Sequence, residues 1–211
     1  MLKKNKKMLV LTSLVILLPV LIGLILWNRL PEEMPMHWNA AGEVDGWGSR
    51  MTVVFAMPAI LLAVHWLCVL VTSADPKRAN IGGKPLLLVL WICPVISVLV
   101  SGLTYLTALN IPVSVEVVMP LVLGILFVVI GNYMPKCRQS YTLGIRVPWA
   151  LENEENWNRT HRFAGKVWMV GGVLIMACSF LGVWPMLAIT LVMAFTPMIY
   201  SYVYYRKHRG E

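Results

Sequence analysis

The residues able to do chemistry fall into two polar stretches and one isolated position. The first stretch, "MPMHWNAAGEVDGWGS" at 34–49, brings His37, Asn39, Glu43 and Asp45 within nine residues. An imidazole beside carboxylates can move a proton, hold a cation or present a polar recognition surface. A metal site would need His37 with Glu32, Glu33 or Asp45. No helical pair of ligands at i and i+4 supports one. The second stretch, "GIRVPWALENEENWNRTHR" at 144–162, carries Arg146, Thr160 and His161. Its arginine offers a planar fork suited to carboxylate or phosphate. The isolated position is His65, deep in an apolar run. An ionisable group at such depth points to function by default. With no acid at matching depth, a neutral imidazole bonded to a neighbouring helix explains it better than a proton relay. No nucleophile–base pair, phosphate-cradling glycine loop or pair of carboxylates occurs. The chain therefore reads as a non-enzyme with no cofactor and no metal.

These groups must be positioned by very apolar elements. Of 211 residues, 58% are hydrophobic and 13% charged, where a soluble domain is nearer a quarter charged. A bilayer core needs roughly 20 apolar residues per helix. Six stretches meet that length or nearly so: 8–27, 51–73, 86–109, 113–134, 167–183 and 186–205. They are continuous rather than alternating, so they are helices and not barrel strands. The fold class is all-α: a polytopic membrane protein of six transmembrane helices, with an ordered outer loop and a cytoplasmic amphipathic elbow. Trp184-Pro185 is expected to turn the chain between the last two spans. Pro19, Pro58, Pro94, Pro120 and Pro197 place one proline in each of five spans. The first span follows Lys3, Lys4, Lys6 and Lys7. Its run exceeds a signal-peptide core and no A-x-A site follows, so it is expected to be retained. Cys68, Cys93, Cys137 and Cys178 are scattered without metal or redox spacing and read as reduced thiols.

Charge sets the expected orientation. All but two of the 18 Lys and Arg residues fall at the termini, in 74–84 or in 135–166. Six spans put those four segments on one side, and the positive-inside rule makes that side cytoplasmic. Arg29 and Arg50 stay outside with the loop 28–50. Anionic headgroups and topology account for the basic residues, so direct nucleic-acid binding is not expected.

Each polar stretch also has local grammar. In the outer loop, "VDGWG" is a turn signal, because Asp-Gly favours positive φ. In the inner loop, Pro135 ends the fourth span and Pro148 drives Val147 to an extended conformation. Asn153 is a good N-cap, with Glu154 and Glu155 in the first turn. Trp157, Thr160 or His161, Ala164 and Trp168 then recur at helical spacing, as one face of an interfacial helix. A purely structural reading makes the first loop a connector and the second a lipid-anchored elbow.

Two motifs point to a family. "MPMHWNAAGEVDGWGS" resembles an uncharacterised N-terminal module found ahead of SdpI-type sequences. "GNYMPK…GIRVPWALENEENWNRTHR" resembles the signature of the SdpI family of bacterial membrane immunity proteins. The matching positions are Gly131, Asn132, Pro135, Lys136, Gly144, Arg146, Pro148, Trp149, Trp157, Thr160 and His161. In the outer loop they are His37, Asn39, Gly42, Asp45 and Gly46. Ser140 stands where the family usually has Asn, and Val147 and Ala150 where Thr is common. The resemblance implies a two-helix module over 1–84 with outer loop 28–50. A four-helix SdpI-like module follows over 85–211, with cytoplasmic loop 135–166. It further implies a bacterial cell-membrane protein that protects against a secreted toxic peptide. A cytoplasmic repressor or other regulator would dock inside for signal transduction. A small transporter or ion pathway is the rival class, favoured by the prolines and His65. The orientation is testable in intact cells with a membrane-impermeant thiol reagent. A cysteine at Gly42 should label from outside and Cys137 should not; labelling of Cys137 would reverse the topology.

Overall fold

The computed structural model describes residues 5–208. Lys3, Lys4 and Arg209, counted above for orientation, lie outside them. Seven α-helices and one β-hairpin follow in order. These are α1 (Lys6–Ile25), β1 (Glu33–Trp38), β2 (Val44–Ser49), α2 (Met57–Ser73), α3 (Gly83–Ala108), α4 (Val115–Tyr133), α5 (Pro148–Glu152), α6 (Glu154–Ala177) and α7 (Val183–Lys207). Among the described residues, five helical stretches are long and apolar enough to cross a membrane: α1, α2 with its preceding turn, α3, α4 with its following turn, and α7. The protein is a polytopic, predominantly helical membrane protein, as expected. The remaining expected span, 167–183, is only partly helical in α6: residues 167–177 form its apolar C-terminal part, 178–182 are the following turn and Val183 opens α7. Helix α6 begins in polar sequence and runs on without a break into the apolar one.

Two boundaries differ from expectation. The turn between α6 and α7 lies at 178–182 rather than at Trp184-Pro185. Gly182, at φ 83°, makes the reversal. Pro185 then sits in the first turn of α7, where a missing N–H costs no helical hydrogen bond. The "VDGWG" stretch is strand β2, not a turn. The hairpin reverses at 39–43 instead. There the Asn39 side-chain oxygen accepts from the Ala41 and Glu43 N–H groups at 2.9 and 3.1 Å. Gly42 supplies the left-handed residue at φ 79°. An Asn-anchored turn with a glycine three residues on satisfies more backbone than Asp-Gly could at its own position.

The chain forms two compact units, 1–73 with 88–115 and 74–87 with 116–211. In the first unit the hairpin sits on a cluster of Leu30, Met34, Val53, Val54 and Tyr105. Helices α1 and α3 are tied by buried hydroxyls. Ser97 donates to the Ile16 carbonyl at 2.8 Å, and Tyr105 to that of Pro19 at 2.9 Å. Arg50 donates to the Trp27 and Leu30 carbonyls at 2.5 and 2.8 Å, and lies over the Trp27 ring. It pins the short turn that follows α1 to the end of the hairpin.

In the second unit α4 and α6 meet backbone to backbone. A Cβ on Gly172 would lie 2.5 Å from the Gly124 carbonyl oxygen, and one on Gly165 2.7 Å from that of Gly131. Small residues let membrane helices approach where lipid gives no hydrophobic drive for association. Helix α7 packs on α6 through Trp168, which donates to the Met193 carbonyl at 3.0 Å. Adding one methyl group at Gly172 should therefore force the pair apart. Gly172→Ala is expected to cost about 1–3 kcal/mol in a reversible detergent-unfolding titration, the usual penalty of overpacking. Gly102→Ala, with nothing within 4 Å of the added atom, should cost nothing measurable.

Candidate functional site

The hairpin brings its five expected residues together. His37 and Asp45 face each other across the strands, with Nδ1 and Oδ1 2.5 Å apart. The pair is open to solvent, the side chains being 72% and 44% exposed. Gly46 pairs with His37 at a bulge. A Cβ there would lie 2.8 Å from the His37 Cβ, so the position has no room for one. Asn39 holds the turn, and its amide also donates to the Glu43 carboxylate at 3.0 Å. The Asp45 carboxylate accepts in this pair and His37 Nδ1 donates. Among the described residues no group of three or more His, Cys, Asp or Glu side chains could hold a metal ion.

The second polar stretch folds around two stacked rings. Trp157 and His161, one turn apart on α6, lie 4.1 Å centroid to centroid and are fully buried. Trp157 donates its indole N–H to the Cys137 carbonyl at 2.8 Å. His161 bridges two backbone groups. Its Nε2 faces the Ile145 N–H at 3.0 Å, and its Nδ1 faces the Trp157 carbonyl at 2.8 Å. A backbone N–H only donates and a carbonyl only accepts, so the ring is neutral with its proton on Nδ1. Burial pushes its pKa down to about 4. The face formed by Trp157, Thr160, His161 and Ala164 is therefore core, covered by the 137–147 loop and by α7. It is not a lipid-facing stripe, because its polar atoms are consumed by protein partners: backbone groups for Trp157 and His161, the Asn156 side chain for Thr160.

Gly144, at φ 100°, lets the loop pass over these rings. A Cβ there would meet His161 Nε2 at 2.3 Å and the Trp157 ring at 2.9 Å. Pro148 opens α5, and Trp149 meets Tyr202 of α7 edge-on and stacks on Tyr205. Asn153 caps α6 as expected, accepting from the Asn156 N–H at 2.8 Å. Thr160 joins a different network, donating to the Asn156 side-chain oxygen. That oxygen also accepts from the Ser201 hydroxyl at 2.8 Å, tying α6 to α7. Arg146 is exposed and donates once, to the Tyr141 carbonyl at 3.0 Å. Pro135 lies against Gly165. Asn132 is exposed on α4, and Lys136 rests over the Tyr133 ring; neither reaches the Trp157–His161 cluster. His65, fully buried, has its Nε2 3.1 Å from the Thr12 hydroxyl, while Nδ1 meets no partner.

Sequence reasoning missed the residues that hold this loop from its other side. Asp75, only 2% exposed, accepts from the Lys77 and Tyr141 N–H groups and the Thr142 hydroxyl at 2.7–2.9 Å. Gln139 takes a hydrogen bond from the Lys77 ammonium and donates to the Ala150 and Leu151 carbonyls. Asn80 adds a bond to the Gln139 carbonyl at 2.9 Å. A lone acid in the basic loop "SADPKRAN" was the available signal for Asp75; Gln139 and Ser201 carried none. Cys137 is packed, and burial raises its thiol pKa to about 11. It would react slowly from either side, so a cysteine at exposed Arg138 is the better topology reporter.

The His161 bridge makes the loop acid-sensitive. An unfolded histidine binds a proton near pH 6.5, and the folded one near 4. Between those values the opened state holds more protons, so stability is intact above about 6.5 and is lost as pH falls toward 4. Hydrogen exchange over 137–147, corrected for intrinsic rate, should accelerate across that window. In His161→Gln it should be fast at neutral pH and lose the His161-dependent part of the slope.

Comparison with known proteins agrees with this picture. Residues 136–201, which contain the whole elbow, match the SdpI/YfhL protein family. Residues 14–62, which contain the hairpin, match the Domain of unknown function (DUF1648). No solved structure matches the chain. Along its length the chain is 26% identical to "Immunity protein SdpI" of Bacillus subtilis (strain 168), over 217 residues covering 99% of each. The resemblance to the SdpI family read from the two motifs is thus shown, with an SdpI/YfhL segment placed behind a DUF1648 segment in one polytopic membrane chain.

Proposed function

We propose that the chain is a non-enzymatic membrane immunity protein that shields a bacterial cell from a secreted toxic peptide. The observation that carries this reading is the end-to-end similarity to a protein named for immunity. The geometry supports it, because both polar stretches are built as ordered surfaces rather than slack connectors. The hairpin faces outside in this reading, and His37, Asn39, Gly42, Asp45 and Gly46 form its contact surface for the peptide. The elbow and both termini face the cytoplasm, where nearly all the Lys and Arg lie. Modules 1–84 and 85–211 divide these two tasks.

Arg146 is the elbow's contact residue for a repressor or other regulator. One of its N–H groups closes the 141–146 loop. The rest of the fork is exposed and free to pair with a carboxylate. Thr160, Trp157 and His161 shape the elbow from within. The rival reading, a small transporter or ion pathway, rests on His65, whose Nδ1 is buried without a partner. Proton flux in proteoliposomes that is abolished by His65→Ala would favour it.

The test is survival of cells exposed to the toxic peptide, with a membrane immunoblot for each variant. Asp45→Ala and His37→Ala should lose protection at normal protein level. Arg146→Lys should impair protection nearly as much as Arg146→Ala, both at normal protein level. If Lys at 146 behaves as wild type, the position only latches the loop. Labelling of Arg138→Cys from outside intact cells would overturn the orientation.

A further inference from the structure

Helices α6 and α7 enclose a groove of about 500 Å³ that neither motif includes in full. One wall carries Glu155, Arg159, Arg162 and Lys166 along α6, and the floor is Phe163 stacked on Tyr200 at 4.5 Å. Arg159 is already engaged. Its Nε donates to Glu155 at 2.8 Å, and its guanidinium lies over Tyr204. Arg162 and Lys166 are exposed, and the ion pairs among the described residues include neither. They stand one turn apart on the same face, so their charges add in one place. The groove sits where α6 passes from polar to apolar sequence. Lys166 is followed by "VWMVGGVLIMA". A helix that changes character there has that turn at headgroup depth.

We propose that this groove is a binding site for the headgroup of an anionic phospholipid. Its phosphate sits between Arg162 and Lys166, and the upper part of an acyl chain lies along the Phe163–Tyr200 floor. Arginine and lysine are the side chains that take phosphate by charge-assisted hydrogen bonds. Paired cations beside an aromatic floor match a ligand that is charged at one end and apolar at the other. The Glu155 carboxylate is nearest the polar end of α6 and is neutralised by Arg159, so it does not cancel the two free cations.

The experiment is native mass spectrometry of the full chain in nonionic detergent, titrated with phosphatidylglycerol, phosphatidylcholine, inorganic phosphate or an acidic peptide. One basic residue near an anionic surface contributes roughly a fivefold factor. Arg162→Gln with Lys166→Gln should therefore weaken phosphatidylglycerol retention about 25-fold, while Lys207→Gln leaves it unchanged. Phosphatidylcholine should not be retained, and inorganic phosphate should not compete. Glu155→Gln, an exposed and mild change, should hold the anionic lipid at least as tightly. It keeps the idea exposed to failure if the double variant misfolds. Equal loss from Lys207→Gln would show generic attraction and overturn the site. So would competition by free phosphate, weaker retention by Glu155→Gln, or displacement of the lipid by an acidic peptide.

Discussion

Where α4 meets α6, main chain lies against main chain, with Gly124 on Gly172 and Gly131 on Gly165. No side chain intervenes, and much of the second unit follows from that. The end of α4 is brought down onto α6 so closely that Pro135 touches Gly165. The short turn after it delivers the Cys137 carbonyl to the Trp157 indole. The next residues have little freedom except to fold back over the Trp157–His161 pair. Lipid offers helices no hydrophobic reason to associate. Close approach through glycine is what converts several apolar rods into a framework able to hold a polar loop.

That loop is held by groups whose hydrogen bonds are nearly all spoken for. His161 joins two backbone groups and is fixed in one tautomer by them. Asp75 receives one donor from its own loop, at Lys77, and two from 141–142. Asn156 serves Thr160, Ser201 and the α7 backbone. Buried polar groups are costly only when left unpaired, so this density of pairing makes the elbow rigid rather than weak. The surface it presents, with Arg146 at its rim, keeps its shape without a partner.

Much of this was legible in residue types alone. The continuous apolar runs, the Asn153 cap and the aromatic spacing of α6 each announced an element with a local physical cause. The two motifs marked the two ordered polar regions. What the sequence hid was pairing between distant segments. Nothing near Asp75 says that its oxygens meet residues some 66 positions away. Nothing near Ser201 says that it faces Asn156. The helical face of Trp157 and His161 was visible, but periodicity does not distinguish a face turned to lipid from one covered by protein. The hairpin turn was misplaced for a related reason. Asp-Gly and Asn-x-x-Gly are both turn chemistry, and the choice between them was made by strand register on the cluster around Met34.

Prolines interrupt α1, α3, α4 and α7. Helix α6 has none across its 24 residues, a rod of about 36 Å. A proline offers a bend at which motion can be absorbed. Without one, the Trp157 turn and the Ile175 turn belong to one uninterrupted helix. The polar elbow and the apolar half of α6 are therefore continuous in one helix, whose Gly171–Gly172 pair is the place left for it to bend.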